Sequence, residues 1–390
     1  MRKSFLTMAL VLWGWWAIPL RGQQPCPGFA IVVNSAEDEL VLAISNAEKP
    51  QEAIEALDKY AQAHPDSKFM PCVHEYYTLT YLKTNDYDKV IAHGEQALAA
   101  NYQDVMLLLN LTRAYVGSGK VSDTAFDAIL KASELINTEA HPPRPTQVPE
   151  ADWKKSLEEL EEQAKEQRAY MAYAFFQLLP RRPDAAQRLA LLDKFAATFP
   201  DAATAHVKAI DYQRFEAYKA AGDMAKMIEW GEKVVAEDPD NLEVLNLLAY
   251  IYGNQRTSLD KAGSYAQKAL DLATALKKPE GVTDEQFAAS QKLQQGMAHL
   301  TLGYIAFLKA EKTRKVGPAL QELKAAVDLL NGSPELQAQT LYYIGYANET
   351  MYPANHAAAI EALTRAAALP SGWQVQARDL LAKVKRAARQ

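Results

Sequence analysis

Cysteine, glycine and proline are scarce in this sequence, and each shortage narrows the classes of protein it can encode. There are only two cysteines among 390 residues, with 17 glycines and 19 prolines. The modest glycine and proline counts argue against extensive low-complexity disorder. With 49% hydrophobic and 23% charged residues, the composition is that of a globular chain, long enough for two or three ordinary domains or one elongated array.

An excess of positive charge is also missing. The chain carries 42 lysines and arginines against 48 acidic residues, a formal net charge of −6. A nucleic-acid-binding protein needs a basic surface to neutralise phosphates, and the sequence has no basic stripe of that kind. We therefore expect no nucleic-acid partner.

Sequence patterns for catalysis and metal binding are absent as well. The seven histidines include no pair at His-x-x-x-His spacing, and there is no Cys-x-x-Cys, so nothing indicates a zinc site. There is no Gly-x-Ser-x-Gly nucleophile motif. The segment GSGK (117–120) lacks the upstream glycine and the following serine or threonine of a phosphate-binding loop, and is typical of a turn between helices. We predict a protein that is not an enzyme and holds no metal or cofactor.

The first 22 residues differ from the rest of the chain. A basic start (MRKS) precedes an uncharged, mostly apolar run from Phe5 to Leu20, and the small residue Gly22 ends a candidate cleavage site. This order resembles a secretory signal peptide, and the apolar run is shorter than the ~20 residues that a spanning helix needs. The segment predicts export to the periplasm or the extracellular space. The alternative is an uncleaved segment that tethers the protein to a membrane, and only in that form do we expect membrane contact.

Both cysteines, Cys26 and Cys72, lie near the N-terminus of the mature chain. In an oxidising compartment they could form one disulfide that ties the N-terminal segment to the second helix pair. The alternative is two unpaired thiols. Lipidation of Cys26 is disfavoured, because the Gln-Gln-Pro before it does not resemble a lipidation motif.

Almost every segment after residue 35 has the periodicity of an amphipathic helix, with apolar residues at i, i+3, i+4 and i+7. Two kinds of helix alternate. One kind ends in a Pro-Asp turn, as in QEAIEALDKYAQAHPDS (51–67) and GDMAKMIEWGEKVVAEDPDN (222–241). The other carries Leu-small-x-x-Tyr, as in Leu248, Ala249 and Tyr252. This alternation predicts an all-α chain of repeated helix hairpins.

The hairpins resemble the tetratricopeptide repeat (TPR), a helix–turn–helix of about 34 residues. In the repeat that starts at Leu242, the residues that match the TPR pattern are Leu245, Leu248, Ala249, Tyr252 and, after a one-residue insertion, Ala262 and Ala269. The repeat that starts at Lys208 departs from the pattern where Phe215 and Met227 replace small residues. The resemblance covers residues 36–388. It implies a right-handed superhelical solenoid of about eight degenerate hairpins with a C-terminal capping helix.

The predicted organisation follows from these units and from two loops that interrupt them. It consists of a signal peptide (1–22), an N-terminal extended segment (23–35), repeats 1–3 (36–140), a Pro-rich loop (141–152), repeats 4–6 (153–276), a loop (277–283), repeats 7–8 (284–370) and a capping helix (371–390).

The TPR resemblance also supplies candidate binding residues. Positions 2, 5, 9 and 12 of each first helix form a stripe apart from the packing positions, and in a right-handed superhelix of this family the stripe lines the concave groove. The residues on this stripe that we select are Arg113, Tyr173, Tyr212, Asn246, Tyr250, Tyr304, Tyr342 and Tyr346. Tyrosine suits peptide capture because it has a large apolar face, few rotatable bonds and a hydroxyl. The alternative is that these tyrosines pack between helices. The stripe does not reproduce the Lys/Asn clamp with which some relatives bind acidic C-terminal tails, so that specificity is not implied.

Two functions remain open. The first is an exported, non-enzymatic TPR scaffold that binds a protein or peptide of unknown identity in an aromatic-rich concave groove. Alanine at Tyr250, Tyr304 and Tyr346 would then abolish capture without loss of helicity. The second is a structural subunit of a cell-envelope assembly, held through its convex face or its N-terminal segment, in which the groove would be incidental.

Overall fold

The computed structural model describes residue 26 and residues 29–200 and 205–389. The predicted signal peptide lies outside this part of the chain. The chain divides into two compact units, Met1–Gln213 and Arg214–Gln390. The described residues form seventeen α-helices and one 3-10 turn and include no β-strand. The predicted all-α class of repeated helix hairpins, a TPR-like helical repeat, is confirmed.

The first unit contains four successive helix hairpins, and each hairpin packs against the next. Its helices are α1 (Ala36–Asn46), α2 (Pro50–Ala63), α3 (Met70–Lys83), α4 (Tyr87–Ala99), α5 (Val105–Ser118), α6 (Asp123–Ala140), α7 (Glu150–Leu178) and α8 (Ala185–Thr198), with the 3-10 turn Leu179–Arg181 between the last two. Stacked phenylalanine rings hold the fourth hairpin closed, with the centroids of Phe175 on α7 and Phe195 on α8 4.5 Å apart.

The second unit continues the pattern after α9 (Val207–Ala221), the helix that contains the division between the units. Its further helices are α10 (Met224–Glu237), α11 (Leu242–Asn254), α12 (Leu259–Ala275), α13 (Asp284–Ala310), α14 (Gly317–Leu329), α15 (Pro334–Thr350), α16 (His356–Ala368) and α17 (Gln374–Ala387). None of the helices in the described part of the chain is both long and apolar enough to cross a bilayer.

Side-chain caps fix where many of these helices begin. Asp104 accepts a hydrogen bond from the backbone N–H of Leu107 at 2.7 Å, and Asn241 accepts one from Val244 at 3.2 Å. Such a cap satisfies one of the backbone donors that the first helical turn leaves unpaired. The turns that separate the hairpins are therefore set locally by the sequence.

Small residues let paired helices approach closely. A Cβ atom added to Gly345 on α15 would lie 2.5 Å from Leu363 Cγ on α16. We expect Gly345→Ala to lower the free energy of unfolding of the second unit by about 1–3 kcal/mol, the usual cost of overpacking a core. Urea unfolding checks this, with Gly332→Ala as the control because a Cβ there meets no atom within 4 Å. Equal midpoints for the two variants would contradict the close-packing role.

Candidate functional site

Five of the predicted groove residues lie in the second unit, on the first helices of successive hairpins. Asn246 and Tyr250 belong to α11, Tyr304 to α13, and Tyr342 and Tyr346 to α15. Their surroundings divide them into residues that pack between helices and residues that reach the surface.

Tyr304 lies in the interior. Only 7% of the residue is exposed, and its ring stacks on that of Tyr343 with a centroid separation of 4.4 Å. The Arg256 Nε–H donates a hydrogen bond to the Tyr304 hydroxyl at 3.3 Å. Tyr304 therefore joins α13 to α15, and its ring has little surface to offer a partner.

Tyr250 on α11 is also linked to α15, through its hydroxyl. The hydroxyl donates to Gln339 Oε1 at 2.8 Å, and Gln339 Nε2 donates to Asn254 Oδ1 at 3.3 Å. The recess between Tyr250, Thr301 and Gln339 is too narrow for a water molecule. The side chains of the second unit thus fill the space between α11, α13 and α15 at this point.

Asn246 is buried where α11 meets α13. Its amide Nδ2 donates to the Gln294 backbone carbonyl at 3.0 Å and to Gln294 Oε1 at 2.7 Å. Asn246 Oδ1 is buried and has no hydrogen-bond partner among the described residues. Asn246 fixes one helix against the next.

Tyr342 and Tyr346 reach the surface together with Trp373, the residue that precedes α17. We call these three residues the aromatic face. The ring centroid of Tyr342 lies 5.1 Å from that of Trp373 and 6.3 Å from that of Tyr346. Phe307 supports the face from below, with its centroid 5.1 Å from that of Tyr346. All three residues of the aromatic face are half-buried, so one side of the cluster is anchored and the other is accessible.

The hydroxyls of the aromatic face differ from those of the tyrosines that donate to carboxylates. Within the described residues, neither Tyr342 nor Tyr346 donates its hydroxyl proton to another group, and burial raises the pKa of Tyr342, so its hydroxyl stays protonated at neutral pH. Elsewhere tyrosine hydroxyls donate to carboxylates, as do Tyr60, Tyr77, Tyr115, Tyr252 and Tyr265. The aromatic face therefore presents two tyrosine hydroxyls with hydrogen-bonding capacity to spare.

The remaining groove candidates belong to the first unit. Arg113 on α5 is exposed, and its Nη1 donates to Asn110 Oδ1 at 3.4 Å. Tyr173 on α7 is 37% exposed and lies beside Tyr170, with a centroid separation of 6.1 Å. Burial raises the pKa of Tyr170 to about 12, and the nearby Arg113 charge opposes that rise. Tyr212, on α9, is half-buried.

The first unit also holds the two cysteines. Cys26 and Cys72 form a disulfide with a Cα–Cα separation of 5.4 Å. The Cys26 backbone N–H donates to Glu75 Oε2 at 2.9 Å, and Glu75 is fully buried. We call Cys26, Cys72, Glu75, Tyr102 and Asp104 the N-terminal clasp, because they attach the residues before α1 to α3 and to the start of α5.

Two carboxyls meet one hydroxyl in the N-terminal clasp. The Tyr102 hydroxyl lies 2.7 Å from Glu75 Oε2 and 2.5 Å from Asp104 Oδ2. A hydroxyl has one proton and can donate to only one of them, so both contacts are hydrogen bonds only when one carboxyl is itself protonated. Burial, with the Asp104 charge beside it, raises the pKa of Glu75 to about 8. Glu75 is thus the carboxyl that keeps its proton at neutral pH.

A cleft of about 690 Å³ in the first unit is lined by residues of α4, α5, α6 and α8. Its lining residues from α6 and α8 include Asp127, Lys131, Glu134 and Lys194, over a floor that contains Leu108 and Leu130. The described residues include no group of three or more histidine, cysteine, aspartate or glutamate side chains that could hold a metal ion. The lining of the cleft carries both acidic and basic side chains. The cleft belongs to the first unit, whereas the aromatic face belongs to the second.

Sequence reasoning missed Trp373 and the acidic part of the N-terminal clasp. Trp373 has a usable signal, because it is an isolated aromatic directly before a basic amphipathic helix. Glu75 has none, since nothing in HEYYTLTYLK (74–83) distinguishes a buried glutamate from an exposed one.

Comparison with known proteins does not identify a function for the site. No family model matches the sequence, and no curated protein matches it. Among solved structures, the crystal structure of yeast Tom70 is similar to the chain with a TM-score of 0.35 and 12% identity, over 94% of this chain and 67% of that chain. A similarity this loose carries no functional argument, and the repeat fold rests on the helix hairpins themselves.

Proposed function

We propose that the chain is an exported, non-enzymatic TPR-like scaffold that binds a protein or peptide segment through the aromatic face of its second unit. The observation that carries this proposal is the half-buried cluster of Tyr342, Tyr346 and Trp373, in which two hydroxyls lack partners within the described residues. Helical-repeat proteins present extended binding surfaces, which is the function this fold supports in general.

The chemistry of the aromatic face suits a peptide ligand. Its rings are already held by contacts with Phe307 and with one another, so binding freezes few rotors. Each ring offers apolar area to a side chain of the partner, and each free hydroxyl can bond a backbone carbonyl or amide. Tyr250 and Tyr304 contribute by holding α15 in place rather than by touching the partner.

The N-terminal clasp supports the exported location. A buried disulfide between Cys26 and Cys72 persists in oxidising compartments and is uncommon in the cytosol. The signal-like segment of residues 1–22 agrees with that location. Both features favour a protein that works outside the cytoplasm.

The two hydroxyls allow a test that leaves packing intact. A partner is first captured from envelope extract with the purified protein, identified and purified. We then expect Tyr342→Phe/Tyr346→Phe to weaken its affinity at least tenfold, because each neutral hydrogen bond contributes about 1 kcal/mol. Alanine at the same two positions should weaken affinity a hundredfold or more, since it also removes the ring contacts.

Tyr265→Phe is the matched control, because the Tyr265 hydroxyl donates to Glu232 at 2.9 Å in the same unit. Circular dichroism monitors helicity for all variants. Unchanged partner affinity in both double variants would refute the aromatic face as the binding surface. Loss of binding only on changes in residues 29–35 or on the second helices of the hairpins would favour the envelope-subunit function instead.

A further inference from the structure

The outer surface of α17 concentrates positive charge in an otherwise acidic protein. Its basic side chains are Arg378, Lys383, Lys385 and Arg386; Arg389 follows two residues after the helix ends, and all five are exposed. The apolar residues of the same helix, among them Ala377 and Val384, face α15 and α16. The basic side chains therefore project away from the core of the second unit. We call them the basic face.

No acidic side chain in the described part of the chain neutralises the basic face. Among the described residues, none of its five side chains forms an ion pair, and the helix itself contributes one acid, Asp379. Cations elsewhere in the second unit are partly paired, as Lys261 is with Glu232 at 2.6 Å and Lys309 with Asp260 at 2.9 Å. Others, such as Lys277 and Lys324, form no ion pair among the described residues. The basic face is distinguished by its density, since it gathers five such cations within twelve residues at the end of the chain's described part.

The spacing of these cations fits an extended anionic surface better than a single acidic group. Arg378 and Lys385 are two turns apart on α17, roughly 10 Å along the helix, and Arg389 follows just after the helix ends. The exposed Val375, with 65% of its area accessible, lies on the same side of α17. A pocket for one carboxylate would bring two cations together, whereas a line of cations that follows an exposed apolar residue matches the headgroup layer of an anionic bilayer.

We infer that the basic face of α17 is a docking surface for an anionic phospholipid bilayer. The contact is peripheral and electrostatic, because the apolar side of α17 is already occupied by α15 and α16. It is independent of residues 1–22, and it places membrane contact on the second unit, where the sequence predicted none. Binding should weaken steeply as salt rises.

Vesicle sedimentation of the full chain tests this inference. The partition coefficient is measured for vesicles of 30% phosphatidylglycerol in phosphatidylcholine and for vesicles of pure phosphatidylcholine, and the first is divided by the second. Apolar insertion by residues 1–22 would raise both coefficients equally, so it cancels in this ratio. We expect Arg378→Gln/Lys385→Gln/Arg389→Gln to lower the ratio roughly a hundredfold. A rise from 20 to 500 mM NaCl should abolish the preference of the unaltered protein.

The matched control is Lys277→Gln/Lys292→Gln/Lys324→Gln, which removes the same charge from exposed positions elsewhere in the second unit. It should keep most of the preference. A ratio near one for the unaltered protein, or an equal fall in both triple variants, would overturn the inference. Loss of an acidic protein partner in the α17 variant, without any vesicle preference, would assign the basic face to a protein and would also overturn it. The proposed aromatic-face function is unaffected by either result.

Discussion

Removal of the Cys26–Cys72 disulfide is expected to lower the free energy of unfolding of the first unit by about 4 kcal/mol. The bridge joins cysteines separated by 46 positions, and α1 and α2 lie within the loop it closes. A closed loop of this length restricts the unfolded chain much more than the folded one. Both cysteines are buried, so the folded clasp holds the bridge without exposing it to solvent.

Urea unfolding with segment-resolved hydrogen exchange checks this prediction in oxidised protein, in reduced protein and in Cys26→Ala/Cys72→Ala. The second unit is an internal control, since both cysteines of the chain lie in the first unit. Protection of the backbone amides of α1 to α3 against hydrogen exchange should fall in both disulfide-free forms. Protection of the amides of α11 to α15 should not change. The same exchange rates in α1 to α3 for the oxidised and reduced protein would show that the bridge contributes no stability.

The second large effect is a loss of stability with rising pH that comes from Glu75. Its pKa of about 8 in the folded protein exceeds its ordinary value of 4.5, so the folded state binds this proton more tightly than the unfolded chain. The stabilisation is complete below pH 4.5 and is lost as pH rises to about 8. Between the two pKa values, the free energy of unfolding should fall by about 1.4 kcal/mol per pH unit.

Histidines of the same unit act in the opposite direction, mainly at lower pH. Burial lowers the pKa of His74 below 6.5 and that of His93 to about 4, so each favours folding as pH rises towards 6.5. From pH 6.5 to 8 the histidine effect is smaller than that of Glu75 and opposite in sign, so comparison with a Glu75 variant isolates the Glu75 titration. Over that interval we expect the Glu75 titration to lower the stability of the first unit by roughly 2 kcal/mol and the histidines to offset part of that loss.

Glu75→Gln removes the titration while keeping the shape and neutrality of the protonated side chain. Its stability should not fall from pH 6.5 to 8 and should exceed that of the unaltered protein at pH 8. Glu39→Gln, at an exposed position on α1, is the control and should keep the original slope. Parallel curves for the unaltered protein and Glu75→Gln would mean that Glu75 is already ionised in the folded clasp.

The sequence was sufficient to predict the helices and their pairing, because both depend on local signals. Apolar spacing sets the buried side of each helix, and caps such as Asp104 and Asn241 set where helices begin. Close approach at Gly345 follows from the absence of a side chain. Each of these signals lies within one hairpin and needs no knowledge of the next.

The side chains on the inner stripe could not be separated into packing and binding residues from the sequence. Tyr250 and Tyr346 occupy the same position of their repeats, yet the hydroxyl of Tyr250 bonds Gln339, which lies 89 residues away. Tyr304 is covered because Tyr343 lies against it. The exposure of a stripe residue depends on the side chains of hairpins further along the chain, and a degenerate repeat does not specify them.

The raised pKa of Glu75 in the N-terminal clasp could not be predicted from the sequence either. A disulfide between Cys26 and Cys72 could be proposed from two cysteines and an export signal. The burial of Glu75 beside Asp104 depends on how the bridge, α3 and the start of α5 meet. Ordinary glutamates on helices are solvated, so only the tertiary arrangement gives Glu75 its raised pKa.

The central claim is that a partner protein docks on the aromatic face, and site-specific photo-crosslinking tests it most directly. A benzophenone amino acid replaces Tyr346 in one variant and Met224, which is 48% exposed on α10 of the same unit, in the other. The proposed function predicts that the variant at position 346 crosslinks the captured partner and that the variant at position 224 does not. Crosslinking from position 224 with none from position 346 would contradict it.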